Sequence, residues 1–301
     1  MRKQPVLKKV CAAAIALSAV SAPAAAEPLL NPVFSDHMVL QRNAPISVWG
    51  EAEPGSRVTV KLGRRAKTVD AGADGAWRAE FPALKAGGPY ELAVSAGGAS
   101  ETASDIMIGD VFLCSGQSNM EFPVSRALNP QRELAAAAND KIRMLHIEHA
   151  SAPAPLRRFQ APVKWETASA ESVVDFSALC FFFAKDIIAD ADAPIGLIGS
   201  SWGGSRIEPW ISADALGAFQ QFETSLRLLS AYGDDPKQAR EDYAAHWIRW
   251  WKNAGDAPAL PLEESARTAD WKKAPAEKRN WKTWGDPELS THNGMVWFRK
   301  D

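Results

Sequence analysis

Cysteine, tyrosine and histidine are all scarce in this chain: three, three and five copies in 301 residues. Charge of one sign is lacking too, since 34 basic and 36 acidic side chains leave a net charge of −2. That balance excludes both a broad basic face for nucleic acid and an acidic tail. No apolar run reaches the ~20 residues that a spanning helix needs, so no membrane span is expected. Among the histidines, His146 and His149 are the one pair close enough to suggest a metal site. Their i, i+3 spacing with Glu148 between them suits a strand edge better than a ligand set, and no metal is expected.

The N-terminus is distinctive. Arg2, Lys3, Lys8 and Lys9 surround the start of a short apolar run, Val10 to Val20, and Ala24-Ala25-Ala26 supplies small residues at −3 and −1. This pattern reads as a secretory signal over residues 1–26, cut after Ala26, and predicts a secreted or periplasmic protein. Export would place the mature chain in an oxidising compartment, where Cys114 and Cys180 could pair. Each also sits in an apolar run, after Val111-Phe112-Leu113 and before Phe181-Phe182-Phe183. There a cysteine behaves as a small buried hydrophobe. Two reduced, buried thiols are therefore the expectation.

The length allows two or three domains. Residues 27–104 alternate apolar and polar over Ile46–Gly50, Val58–Leu62, Trp77–Phe81 and Tyr90–Val94, with Gly, Pro and Asp between. Short strands at such spacing predict a small β-sandwich. From Asp105 the pattern changes. Ile106–Cys114 is a continuous apolar run of buried-strand type, residues 131–139 and 176–190 read as helices, and Ala193–Ile198 as another buried strand. Strand and helix in alternation predict an α/β layer around a parallel sheet over residues 105–245. Active loops of such layers lie at the carboxyl ends of the strands. Beyond residue 235 prolines recur, apolar periodicity is poor and seven of the twelve tryptophans gather. Packing explains that cluster better than a sugar-stacking surface. Only Gly294–Phe298 reads there as a strand.

Two polar, glycine-bearing segments follow the buried strands: Ser115-Gly-Gln-Ser-Asn-Met120 and Gly199-Ser-Ser-Trp-Gly-Gly-Ser205. A serine esterase needs an exposed serine at a strand end, a histidine base oriented by an acid, and donors around the developing oxyanion. Ser118 meets the first need, although its segment could also be an ordinary polar turn. Gly203 and Gly204 offer backbone N–H groups that a substrate oxygen can approach closely. Ser201 is a rival, because Gly199–Gly203 matches the G-x-S-x-G elbow. That elbow should open into a helix, which Gly204, Ile207 and Pro209 disfavour.

Ile108–Glu121 resembles the first block of the sialate O-acetylesterase family, carbohydrate esterases with a flavodoxin-like SGNH hydrolase fold. Ile195–Trp210 resembles its second block, and Phe34–Arg42 its opening ahead of a small β-sandwich. Asp175–Cys180 and Asn293–Lys300 also fit. The resemblance implies Ser118 as nucleophile, and the Ser118 N–H with a glycine of the Gly203–Gly204 pair as oxyanion donors. Gln117 and Asn119 would lie beside the substrate. It also implies that residues 246–301 begin a second, inserted β-sandwich, with the substrate an acetylated carbohydrate and no cofactor. The family's later Gly-Glu-Ser-Asn block and its Asp-x-x-His pair are not in these residues. The residues three before the histidines are Phe34, Arg143, His146, Tyr243 and Leu289. The expectation is the first part of an SGNH esterase, its α/β domain incomplete. The alternatives are a non-catalytic carbohydrate-binding module or an inactive fragment.

Overall fold

The computed structural model describes residues 28–253, 273, 280–293 and 296. The expected signal and most of the expected strand at 294–298 lie outside the described residues. The chain divides into two compact units, residues 1–218 and 219–301.

Among the described residues of the first unit, seven strands precede any helix. They are β1 (Val39–Gln41), β2 (Ile46–Glu51), β3 (Arg57–Leu62), β4 (Arg65–Asp70), β5 (Ala76–Phe81), β6 (Gly87–Ala96) and β7 (Ala99–Gly116). β2 and β5 form an antiparallel ribbon, and β4, β3, β6 and β7 an antiparallel sheet. One core joins ribbon and sheet, with Val48, Val58, Val60, Trp77, Phe81, Leu92 and Ile106 all buried in it. The alternation in β3 is what places Val58, Val60 and Leu62 on one face. β4 has no such alternation. It is a charged, exposed edge strand, Arg-Ala-Lys-Thr-Val-Asp, and charge of this kind protects an edge from further pairing.

After β7 come α1 (Ser118–Glu121), α2 (Pro130–Ala135), β8 (Asn139–His146), β9 (Trp165–Ala168), α3 (Ala170–Val173), α4 (Ala178–Ala191), β10 (Ile195–Ser201) and α5 (Ala213–Gly217). β10 lies between β7 and β8 and runs parallel to both. The mixed α/β architecture is thus present, and the eight-stranded sheet runs β4-β3-β6-β7-β10-β8-β9, with β1 paired in parallel to β7 off this path. The predicted helix at 131–139 stops at Ala135, and β8 already begins at Asn139. The apolar face of α4 contributes Phe181 and Ala184 to a second core with Ile142, Ile195 and Leu197.

β7 belongs to both regions. Its first half pairs antiparallel with β6; its second half pairs parallel with β10 over Asp110–Gly116. The register slips where Tyr90 opposes Ile106 while Leu92 opposes Ala103. Asp105 sits in this bulge with φ 54°, a left-handed conformation that Asp and Asn tolerate better than most residues. Its carboxylate receives the Arg143 guanidinium at 2.6 Å and the His37 Nδ1 at 2.7 Å. Asp36, next to His37, accepts the Ser104 N–H and hydroxyl, so this acid–histidine neighbourhood is structural.

Arg143 is buried, and its hydrogen bond is the largest influence holding the Asp105 carboxyl below the usual carboxylate range. A depressed folded-state pKa contributes stability above the unfolded value, about 3.9, that is lost as pH falls through the folded one. Asp105→Asn keeps the backbone tolerance and loses the charge. It is expected to lower unfolding free energy by ~2 kcal/mol at pH 7. Urea titrations of both proteins at pH 7 and pH 3 check this, since the gap should shrink in acid. An equal gap at both values would remove the ion pair as its cause.

Cys114 and Cys180 are joined in a disulfide, with their Cα atoms 6.0 Å apart. The expectation of two reduced thiols is corrected. Both are buried, in keeping with their apolar runs. What the sequence does not show is that α4 packs over β10 and β8 and so brings Cys180 beside Cys114, within the 4.4–6.8 Å range that a disulfide spans.

The second unit is helical where it is described. α6 (Glu223–Asp234) and α7 (Pro236–Lys252) meet at Asp235, whose side chain accepts the N–H groups of Lys237 and Gln238. Pro236 at the first helical position starts α7 rather than breaking a helix. Trp247 and Trp251 stack at 5.3 Å along α7. Residues 246–252, expected to open an inserted β-sandwich, instead end this helix. A 3-10 turn at Trp281–Thr283 and the short α8 (Pro287–Thr291) come next, and no strand occurs among the described residues of 246–301.

Candidate active site

β7 ends at Gly116, Gln117 intervenes, and α1 begins at Ser118. Ser118 is exposed, and its hydroxyl lies 3.3 Å from Gln117 Oε1. Gln117 and Asn119 are exposed beside it. β10 ends in register with β7, Ser201 opposite Gly116, so both polar segments emerge at the same carboxyl end of the sheet. The Trp202 N–H donates to Gly116 O at 2.9 Å and stitches the two together. Ser201 is the last residue of β10, and the chain then enters a turn and a 3-10 turn at Glu208–Trp210. The strand–turn–helix setting of a nucleophile elbow therefore belongs to Ser118 and not to Ser201.

The two glycines of the second loop differ. Gly204 has φ 79°, a conformation that suits glycine, and its N–H has no partner among the described residues. Gly203 gives its N–H to Glu121 Oε2 at 2.6 Å. In this arrangement Gly203 is not free to serve a substrate oxygen, which narrows the expected pair of donors to Gly204. A Cβ at Gly203 would run into the Glu121 carboxylate and lie 3.6 Å from Ser118 Cα. The Ser118 N–H stands at the first helical position, where intrahelical bonding leaves an N–H unpaired.

Glu121 is also paired with His149, Oε1 to Nε2 at 2.8 Å. The same nitrogen lies 3.0 Å from Ser201 O, and the imidazole stacks flat on Trp202, 4.5 Å between centroids. Neither residue stands out for this role in the sequence. Glu121 carries one usable signal: it is three residues after Ser118, hence on the same face of α1. His149 draws notice only alongside His146, which instead meets the Phe176 ring edge-on. Among the described residues no group of three His, Cys, Asp or Glu is arranged to hold a metal ion, and no helix is long and apolar enough to cross a membrane.

An exposed serine at a strand–helix junction, at the carboxyl ends of a parallel sheet, is the setting found in serine ester hydrolases. Residues 108–235 match the model of the carbohydrate esterase, sialic acid-specific acetylesterase family. The chain is 34% identical over 209 residues to the sialate O-acetylesterases of Homo sapiens and Pongo abelii, covering 62% of this chain and 39% of each relative. The mouse sialate O-acetylesterase is 32% identical over 203 residues. A carbohydrate acetylesterase from Xanthomonas citri has a similar structure, with a TM-score of 0.61 and 37% identity over 63% of this chain and 43% of that one. The chain thus spans about two fifths of the length of the curated relatives it matches.

Proposed function

We propose that the complete protein is a serine esterase that removes O-acetyl groups from a carbohydrate, sialic acid or an acetylated plant-type glycan. The observation that carries this is the place of Ser118: exposed, at the β7–α1 junction, inside the family-matched segment. Ser118 Oγ would attack the acetyl carbonyl while a base takes its proton. The C–O bond to the sugar breaks, the sugar hydroxyl leaves with a proton, and water then releases acetate from acetyl-Ser118. The developing oxyanion would be met by the Ser118 and Gly204 N–H groups, with Gln117 and Asn119 beside the sugar. This chemistry needs no cofactor.

We divide the chain into a signal at 1–26, a β-rich region at 27–104 and an esterase region at 105–245, these two continuous through β7, followed by an insertion that begins within α7 at 246. Secretion or a periplasmic place is supported by the N-terminal pattern and by the Cys114–Cys180 pairing, which an oxidising compartment favours. A non-catalytic carbohydrate-binding role is the second reading.

An assay separates the two. Residues 27–301 and a form extended to the relatives' length would be compared for acetate release from O-acetylated sugars. Without its base, a serine triad retains only roughly 10³–10⁴-fold catalysis over water. The shorter form is therefore expected to be more than tenfold slower. Turnover by both forms within tenfold of each other would place an unrecognised base inside these residues. Sugar binding without acetate release by the extended form would favour the binding module.

A further inference from the structure

We propose that Glu121 is a positioning residue that clasps the Gly203–Gly204 loop onto the nucleophile turn, with His149 and Trp202 bracing it from the far side. The inference rests on the esterase reading and adds residues to that site.

Three segments meet at one carboxylate. Glu121 is the last residue of α1, one turn after Ser118. One of its oxygens takes the Gly203 N–H and the other meets His149 Nε2. His149 belongs to the segment after β8, and its ring lies parallel to that of Trp202, at an interplanar angle of 2°. An ion pair this exposed contributes little by itself. The bond from a backbone N–H to a carboxylate is different, because charge assistance makes it shorter and stronger than a neutral one.

Its location gives it a use. Gly203 and Gly204 have no side chains to hold them, and an oxyanion donor works only when its direction is fixed before reaction. The Gly203 N–H lies in the peptide just before the one that carries the Gly204 N–H, so pinning it leaves only the Gly203 φ and ψ between the anchor and the donor. Trp202 N–H to Gly116 O secures the loop at its root, and Glu121 secures it at its tip. The clasp also accounts for both glycines. Gly204 needs its positive φ, and Gly203 needs room for a carboxylate.

Two variants test this. Glu121→Ala removes the acceptor. Glu121→Gln keeps an oxygen for the Gly203 N–H and leaves the His149 Nε2 with Ser201 O as its acceptor. Amide exchange at Gly203, followed by NMR in the 301-residue chain, needs no activity. It should quicken by about tenfold or more in Glu121→Ala and by less in Glu121→Gln, whose neutral oxygen still accepts but without charge assistance. In the full-length enzyme, Glu121→Ala should lose about 10²-fold in kcat, with KM changed less than about threefold, and Glu121→Gln should recover part of it. Unaltered Gly203 exchange in Glu121→Ala overturns the clasp whatever the activity. A wild-type kcat in Glu121→Ala, or a Gln variant as slow as the Ala variant, overturns its role in turnover. Failure of the esterase reading looks different: Ser118→Ala would then hydrolyse the ester as fast as wild type, while the exchange result stands.

Discussion

Ser118→Ala in the full-length protein is expected to lower kcat for an acetylated aryl ester by at least about 10³-fold, and Ser201→Ala by less than about tenfold. The asymmetry comes from the two strand ends. Ser118 opens α1 with its hydroxyl exposed, and it lies in the turn that Trp202 and Glu121 hold in place. Ser201 closes β10, and the site uses its carbonyl, which meets His149. Alanine keeps that carbonyl. Acetate release measured for both variants decides the matter, and the reverse ranking would move the nucleophile to Ser201.

Replacing Cys114 and Cys180 together by serine is expected to destabilise the protein by ~4 kcal/mol in the chain-entropy account, since the bond closes a loop of 66 residues. The cost is not purely one of chain entropy. Two serine hydroxyls would be buried among Phe181, Ala184 and Leu197 in the second core. Peptide mapping without reductant should recover a linked Cys114–Cys180 peptide. Urea titration of the oxidised wild type, the reduced wild type and the double variant should place the last two well below the first. Recovery of both cysteines as free thiols would overturn the pairing.

Periodicity governs how much of the fold is legible in the sequence. β2, β3, β5 and β6 are legible because each alternates, and α4 and β10 because each is a strongly apolar run of the right length. β4 and β8 are not. β4 is an edge whose side chains all face solvent or nearly so, and β8 interrupts its apolar run with the buried Arg143. That arginine makes sense only once Asp105, 38 positions earlier, is known to lie beside it. α7 is obscured by Pro236, which reads as a breaker unless Asp235 is recognised as a cap. The site divides the same way. Ser118 and the two glycines lie in short contiguous motifs. The Glu121–His149 pair joins residues 28 apart on different elements, and the disulfide joins residues 66 apart. Local pattern carries no record of either meeting.

β7 has one more implication. A boundary drawn between residues 104 and 105 falls in the middle of a single 18-residue strand. Linkers between independent modules act as hinges, and few contacts cross them. Here the strand hydrogen-bonded to β6 at Ala103 is hydrogen-bonded to β10 at Asp110, and the Arg143–Asp105 pair rivets the joint. The β-rich region therefore cannot swing relative to the α/β layer, nor be excised at that point without tearing the strand that leads to Ser118. Loss of order in the sheet around Leu92 and Val94 would travel along one backbone to the turn that carries Ser118. The N-terminal region works as a foundation to the site rather than as a passenger.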